Sequence, residues 1–365
     1  MLFSIEPKHS LRDIFNRKEE VSTFQKALQS ERLIILDGLR RIGKTSLLKA
    51  VLEEFDGYHV FIDCRAYFRN NLIDAEAFDK ALIKGIEKTL KLGKLKKILK
   101  SISGLSFGGF GISIEDKGQE TSLAEVLKNI DEALKGKRFI LAFDEAQNLR
   151  FYRKGGKDLL NLFAYTYDNL RNFVIVLTGS EIGLLHDFLG IDDPDAPLFG
   201  RYLSEIRLQR FSQDKSLEFL RKGFEELAID VSEKVLERVV DELDGIVGYL
   251  SMYGYIYYKG NQVDALERTK EQAKKLVAKE LGALIKRSMN YGYVLKAVSL
   301  HINRFSQIRT YIENNFGSIS DPTLSKILNT LVKQSFLEQE YVDGVKRYSI
   351  PDPVVEYVCR EMKVK

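Results

Sequence analysis

The sequence predicts an α/β fold, a parallel sheet flanked by helices, followed by an all-helical segment and a C-terminal winged helix. Three observations predict it. Short apolar runs alternate with helical patterns between residues 32 and 208. No convincing strand is visible over residues 211–280. The chain then closes on helix, helix, helix and hairpin. Strands that alternate with helices pair in parallel and carry helices on both faces.

The elements follow in order. Residues 1–31 read as polar and helical. Arg32-Leu33-Ile34-Ile35-Leu36-Asp37 is rich in β-branched residues and ends at a glycine, which suits a buried strand. A glycine-bounded loop over residues 38–45 leads into a helix that opens at Ser46. Tyr58-His59-Val60-Phe61-Ile62-Asp63, Phe139-Ile140-Leu141-Ala142-Phe143-Asp144 and Phe173-Val174-Ile175-Val176-Leu177-Thr178 read as three more buried strands, and Ile206-Arg207-Leu208 as a weak fifth. A basic amphipathic stretch over residues 91–100 interrupts the alternation. Leu105, Phe107, Phe110, Ile112 and Ile114 follow, spaced by twos around Gly108-Gly109, which predicts a hairpin. Near the end, Ser320-Asp321-Pro322 opens a helix with a capping residue and an early proline. Asp343-Gly344 joins two strand-like runs. Helix, turn, helix and hairpin is the winged-helix order. The expected organisation is a core over 1–210 with an insertion near 91–116, a helical lid over 211–280, and a winged helix over 281–365.

Composition excludes several classes. The chain has 365 residues, 44% apolar and 30% charged, which is not the profile of a largely disordered protein. No run approaches the roughly 18 apolar residues of a membrane span. The first eight residues have no apolar leader region, so a cytoplasmic location is expected. Cys64 and Cys359 cannot build a disulfide framework or a four-ligand zinc site, and the four histidines are scattered. The net charge of +4 is local: residues 281–365 hold 12 Lys/Arg and 8 Asp/Glu, and the rest balances to zero. That excess is either a solvated surface or a face for an anionic partner.

Gly38-Leu39-Arg40-Arg41-Ile42-Gly43-Lys44-Thr45 fits G-x-x-x-x-G-K-[ST] between a strand and a helix. Its glycines let backbone N–H groups face phosphates, and the helix N-terminus adds partial positive charge. Lys44 is expected at the β- and γ-phosphates and Thr45 on Mg²⁺, with Gly38, Arg41, Ile42, Gly43 and Ser46 completing the loop around the nucleotide. Arg40 and Arg41 have no chemistry assigned to them. Asp144-Glu145 ends an apolar strand about 100 residues later. Asp144 is expected to hold Mg²⁺ and Glu145 to polarise the attacking water. Ser180 lies beyond the fourth strand, as a hydroxyl toward the γ-phosphate or water, as a helix cap, or as both. Arg201 either completes a neighbouring subunit's site, which implies a homo-oligomer, or makes a structural salt bridge.

Together these segments resemble the archaeal ATPase family of the AAA+/STAND branch of P-loop NTPases, related to the origin-recognition initiator ATPases. The resemblance runs over essentially the whole chain. The phosphate loop carries it, with Asp144-Glu145-Ala146-Gln147, Tyr165-Thr166-Tyr167-Asp168-Asn169-Leu170 and Pro197-Leu198-Phe199-Gly200-Arg201. It implies an adenine nucleotide, with Phe15 packed on the base and Arg17 and Glu20 fixing that segment. It also implies that residues 211–280 fold over the nucleotide as a lid and bring Gly245 close to it. Val247 stands where the family's Gly-x-Pro phrase has proline. No lid arginine is identified.

The expected activity is Mg²⁺-dependent hydrolysis of ATP to ADP and phosphate, driving a switch coupled to the winged helix. The alternative is a DNA-binding protein in which nucleotide only sets the conformation. The candidate recognition helix, residues 323–334, offers Lys326, Asn329, Thr330, Lys333 and Gln334, and the wing offers Lys346 and Arg347, so the partner at this end is either DNA or protein. A GTPase is disfavoured because no Asn-Lys-x-Asp motif occurs. A small-metabolite kinase fits the length and the winged-helix end poorly.

Overall fold

A computed structural model describes residues 1–70, 72–92, 105–108, 111–114, 120–260 and 262–362. Its centre is a five-stranded parallel sheet of β1 (Leu33–Gly38), β2 (Tyr58–Asp63), β3 (Phe139–Asp144), β4 (Phe173–Gly179) and β5 (Ser204–Leu208), in the order β5-β1-β4-β3-β2. Every residue of β3 and β4 is buried, which is why both read as unbroken apolar runs. One face packs on α1 (Lys18–Ser30) and α2 (Lys44–Glu53) through Phe24, Leu28, Leu47, Leu48 and Val51. The other packs on α3 (Ala75–Leu92), α4 (Leu123–Ala133) and α5 (Lys157–Asn169) through Phe78, Ile86, Leu127, Ile130 and Phe163. A short α6 (Ile182–Leu189) follows β4.

The strands at 105–108 and 111–114 pair antiparallel, with Leu105 opposite Ile114, and a third strand at 120–122 joins them. Lys91 and Leu92 end α3. The rest of the basic stretch and Phe110 lie outside the described residues.

The first residues differ from the expectation of helix. Before α1 there is only a short turn of 3₁₀ helix at Leu11–Asp13. Phe3 is fully buried, in contact with Gly223 and Gly254: a Cβ on either glycine would come within 2.2 Å of its ring. A polar-looking N-terminus is thus anchored by one aromatic ring in the helical region that follows the sheet.

That region holds α7 (Gln213–Glu225), α8 (Glu233–Leu243), α9 (Val247–Tyr258) and α10 (Ala265–Ile285). Then come α11 (Met289–Ser299), α12 (Phe305–Asn315), α13 (Asp321–Lys333), the hairpin β6 (Glu338–Val342) and β7 (Val345–Ser349), and α14 (Pro353–Glu361). Ser320 caps α13 through Thr323 N–H, as the sequence suggests. α10 runs through the expected boundary at 280/281, and one apolar core joins Phe219, Leu243 and Tyr253 to Leu281, Leu328 and Cys359.

Candidate active site

Parallel pairing brings the carboxyl ends of β1, β4, β3 and β2 to one edge, with Asp63 in register with Asp144 and Asp37 with Gly179. In open α/β sheets that edge is where ligands bind. A cavity of about 410 Å³ lies there, walled by the phosphate loop, the N-terminal segment and the helical region.

The loop takes its shape from two glycines. Gly38 has φ +140°, and a Cβ there would meet the Leu208 carbonyl at 2.5 Å. Gly43 has φ +98° and precedes the first residue of α2. Arg41 is itself left-handed, φ 64°. Lys44 is buried, 5% exposed, and its Nζ donates to the carbonyls of Gly38 (2.8 Å) and Leu39 (2.7 Å). Burial lowers its pKa to about 8, although Glu145 and Asp144 pull the other way.

The carboxylates are organised by hydroxyls. Asp144 is fully buried and accepts from Thr178 Oγ1 at 2.5 Å and Thr45 Oγ1 at 2.9 Å. Burial raises its pKa, and the two hydroxyls partly offset the rise. Glu145 sits in the left-handed region, φ 53°, which turns its side chain off the strand line. Its N–H donates to Thr178 Oγ1 at 3.0 Å. Its Oε2 accepts from Ser180 Oγ at 2.7 Å and Gln147 Nε2 at 2.6 Å. Burial pushes this carboxyl up, but Lys44, Ser180 and Gln147 together hold it below the ordinary glutamate value. Glu145 is therefore an ionised acceptor at neutral pH. Ser180 does not cap α6: Glu181 holds the cap position and makes no side-chain cap bond.

The donor set fits Mg²⁺. Thr45 hydroxyl and Asp144 carboxylate would hold it, and Mg²⁺ at such sites takes few protein ligands. Among the described residues no group of three or more His, Cys, Asp or Glu could hold an ion by itself.

Away from the carboxylates the cavity gains an apolar wall. Phe15 lines it and packs edge-on to Phe211 and Phe219, with ring centroids at 5.7 and 5.4 Å. Arg17 binds Glu20 (2.7 Å) and the Gln209 carbonyl (2.6 Å), and its guanidinium lies over Phe211. Ile5, Met252 and Leu276 complete the wall. Ser46 also lines the cavity and accepts from Lys8 N–H at 3.1 Å. Ile42 is buried at its edge.

Gly38, Asp144 and Ser180 stand behind the cavity lining and act on it through their neighbours, whereas Gly245 and Arg201 take no part in the site. Gly245 does not line the cavity: its carbonyl accepts from Phe211 N–H, and a Cβ would meet the Phe211 carbonyl at 2.1 Å. The residues that reach the loop are Val247 and Gly248. Gly248 N–H donates to the Arg41 carbonyl at 2.9 Å, and a Cβ there would sit 2.8 Å from Arg41 Cβ. The contact comes three residues later because α9 begins at Val247 and presents its N-terminal turn. Arg201 pairs with Asp168 through Nε (3.0 Å) and Nη2 (2.5 Å) and lies outside the cavity of its own chain.

Spacing alone missed Thr178, Gln147 and Arg65. Gln147 follows Glu145 by two residues, and Arg65 follows the end of β2 by two, but only the register of β2 on β3 puts Arg65 at the site. The two loop arginines also gain contacts. Arg40 donates to Glu181 (2.6 Å) and to the Gln334 carbonyl (2.9 Å), and it lies 4.7 Å over the Phe336 ring. Arg41 binds Glu280 and faces Tyr249, whose hydroxyl donates to Asp352 at 2.9 Å.

Residues 14–253 match the family model described as an ATPase domain predominantly from Archaea. The chain belongs to this archaeal ATPase family. It is 41% identical to the Walker-type ATPase PabY2304 of Pyrococcus abyssi, over 99% of this chain and 100% of that one, with a TM-score of 0.84. The fold is also similar to the ORC2 protein of Aeropyrum pernix, solved as ADPNP–ADP complexes: 12% identity, 98% and 97% coverage, TM-score 0.60. No curated protein matches the chain. As a family member it has the nucleotide-binding ATPase core that its phosphate loop announces. No helix among the described residues is long and apolar enough to cross a membrane.

Proposed function

We propose that this archaeal ATPase is a Mg²⁺-dependent ATP hydrolase that works as a nucleotide-driven switch on its C-terminal region. The observation that carries the reading is Glu145, held ionised by Ser180 and Gln147 beside Lys44 and the Thr45–Asp144 pair. The phosphates lie against the loop amides and Lys44. The adenine lies toward Phe15, against the apolar side chains beside it. Mg²⁺ on Thr45 and Asp144 would supply charge neutralisation of the phosphate oxygens. Glu145 accepts a hydrogen bond from the attacking water. The water oxygen bonds to the γ-phosphorus, the bond to the β–γ bridging oxygen breaks, and the water proton passes to Glu145 and then to the released phosphate.

The switch rests on Arg40 and Arg41. Both lie in the phosphate loop; Arg40 holds the end of α13, Arg41 holds α10, and Tyr249 of α9, beneath Arg41, bonds Asp352 at the start of α14. Nucleotide that reshapes the loop changes these contacts. We read residues 211–280 as the lid and 281–365 as a winged helix. Lys333, although exposed, pairs with Asp187 of α6 at 2.7 Å, and Gln334 is buried, so both are engaged by the ATPase core. This favours a docked regulatory domain over a free DNA reader.

Nucleotide binding and phosphate release, compared for wild type, Lys44→Ala and Glu145→Gln, test the hydrolytic reading. Lys44→Ala should lower ATP affinity about 100-fold. Glu145→Gln should keep affinity and lower release about 100-fold. Equal release from wild type and Glu145→Gln removes hydrolysis from the account and leaves binding.

A further inference from the structure

Three arginines line the cavity, and two are engaged away from its acidic end. Arg17 is bound to Glu20 and the Gln209 carbonyl. Arg41 is bound to Glu280 and faces Tyr249. The third is Arg65. It leaves the sheet two residues after Asp63, whose register partner is Asp144, so it turns over the carboxylate end of β3. Asp63 holds its Nε at 3.0 Å and its Nη2 at 2.9 Å. Nη2 also stands 3.5 Å from Asp144 Oδ2. The side chain stays 55% exposed on the cavity wall, whereas Lys44 is buried on two carbonyls.

This end of the cavity has an electrostatic deficit. Asp63, Asp144 and Glu145 surround Arg65, and Lys44 is the cation on the loop side. A γ-phosphate arriving between them adds further negative charge. A guanidinium oriented by a neighbouring carboxylate is suited to accept that charge, because its planar fork binds phosphate oxygens and needs little reordering.

We propose that Arg65 is the γ-phosphate arginine of this ATPase, acting within its own chain. Asp63 orients it, and on nucleotide binding its guanidinium exchanges Asp144 for a γ-phosphate oxygen. It stabilises the charge spread over the transferring phosphoryl group as the bond to the bridging oxygen breaks. The assignment rests on the ATPase reading above and supplies a cation that neither the helical region nor Arg201 brings to this cavity.

The test is a titration of wild type, Arg65→Ala and Arg65→Lys with fluorescent ADP and a fluorescent non-hydrolysable ATP analogue, with Mg²⁺ present, beside single-turnover phosphate release. Arg65→Ala should lose affinity for the ATP analogue by about tenfold and keep ADP within about twofold. Release should fall by about 100-fold or more. Arg65→Lys should show the same selective loss at smaller size, and it carries the test if the alanine variant does not fold. Equal losses for both nucleotides, or no loss in either variant, overturn the proposal alone. Wild type that binds neither nucleotide overturns it together with the ATPase reading.

Discussion

The two ends of the cavity are built by different means. The acidic end uses strand termini and one loop. Asp144, Thr178 and Ser180 are buried there, and each is hydrogen-bonded to another member of the site. The apolar end is assembled from far apart in the chain: Ile5, Phe15, Phe211, Met252 and Leu276. A buried polar cluster needs fixed partners at fixed distances, so rigid sheet edges supply it. An apolar wall needs only volume and surface, so side chains from several helices and an N-terminal segment suffice.

Breaking the acidic end should have the larger effect. Ser180→Ala removes a hydroxyl that orders Glu145 and should lower phosphate release about 30-fold while ATP affinity stays within about threefold. Steady-state release and equilibrium binding separate the two quantities. Matched losses in both would mean that Ser180 supports the cavity as a whole.

The next effect is in pH. Lys44, with its pKa lowered to about 8, is charged below that value and neutral above it. ADP affinity should therefore hold to about pH 7.5 and fall roughly tenfold by pH 9. Lys44→Arg should flatten that profile. A wild-type profile flat to pH 9 would place the phosphate contact on the backbone amides alone.

The smallest effect belongs to the apolar end. Phe15→Ala should weaken ATP by about fivefold and leave inorganic tripolyphosphate unchanged, because only the base meets that wall. Isothermal titration with the two ligands reads the difference directly. A loss shared by tripolyphosphate would join the two ends into one cooperative unit.

The acidic end was legible because its residues lie in short contiguous motifs. Gly43-Lys44-Thr45 and Asp144-Glu145 each carry their geometry with them, through a glycine at positive φ, a helix start and a strand end. Four apolar runs likewise marked β1 to β4, most plainly β3 and β4, whose burial on both faces leaves a continuous hydrophobic stretch, while β5, buried only at Ile206 and Leu208, left a weaker signal. Gly245 shows the limit. A phrase transferred from a resemblance gave the right neighbourhood, but the start of α9 decided that Val247 and Gly248 meet the loop. Phe3 shows another, because nothing local in a polar N-terminus signals a ring packed between Gly223 and Gly254.

By itself, then, the sequence determined the phosphate loop, the carboxylate pair and the alternation that makes a parallel sheet, because each depends on neighbours within a few residues. Tertiary structure alone decided the rest. Strand register set Arg65 beside Asp144, and helix packing turned Arg40 and Arg41 toward the end of α13 and toward α10. It also left Arg201 on Asp168. Those pairings join residues separated by tens to hundreds of positions, and no local pattern encodes which distant partner a charged side chain will meet.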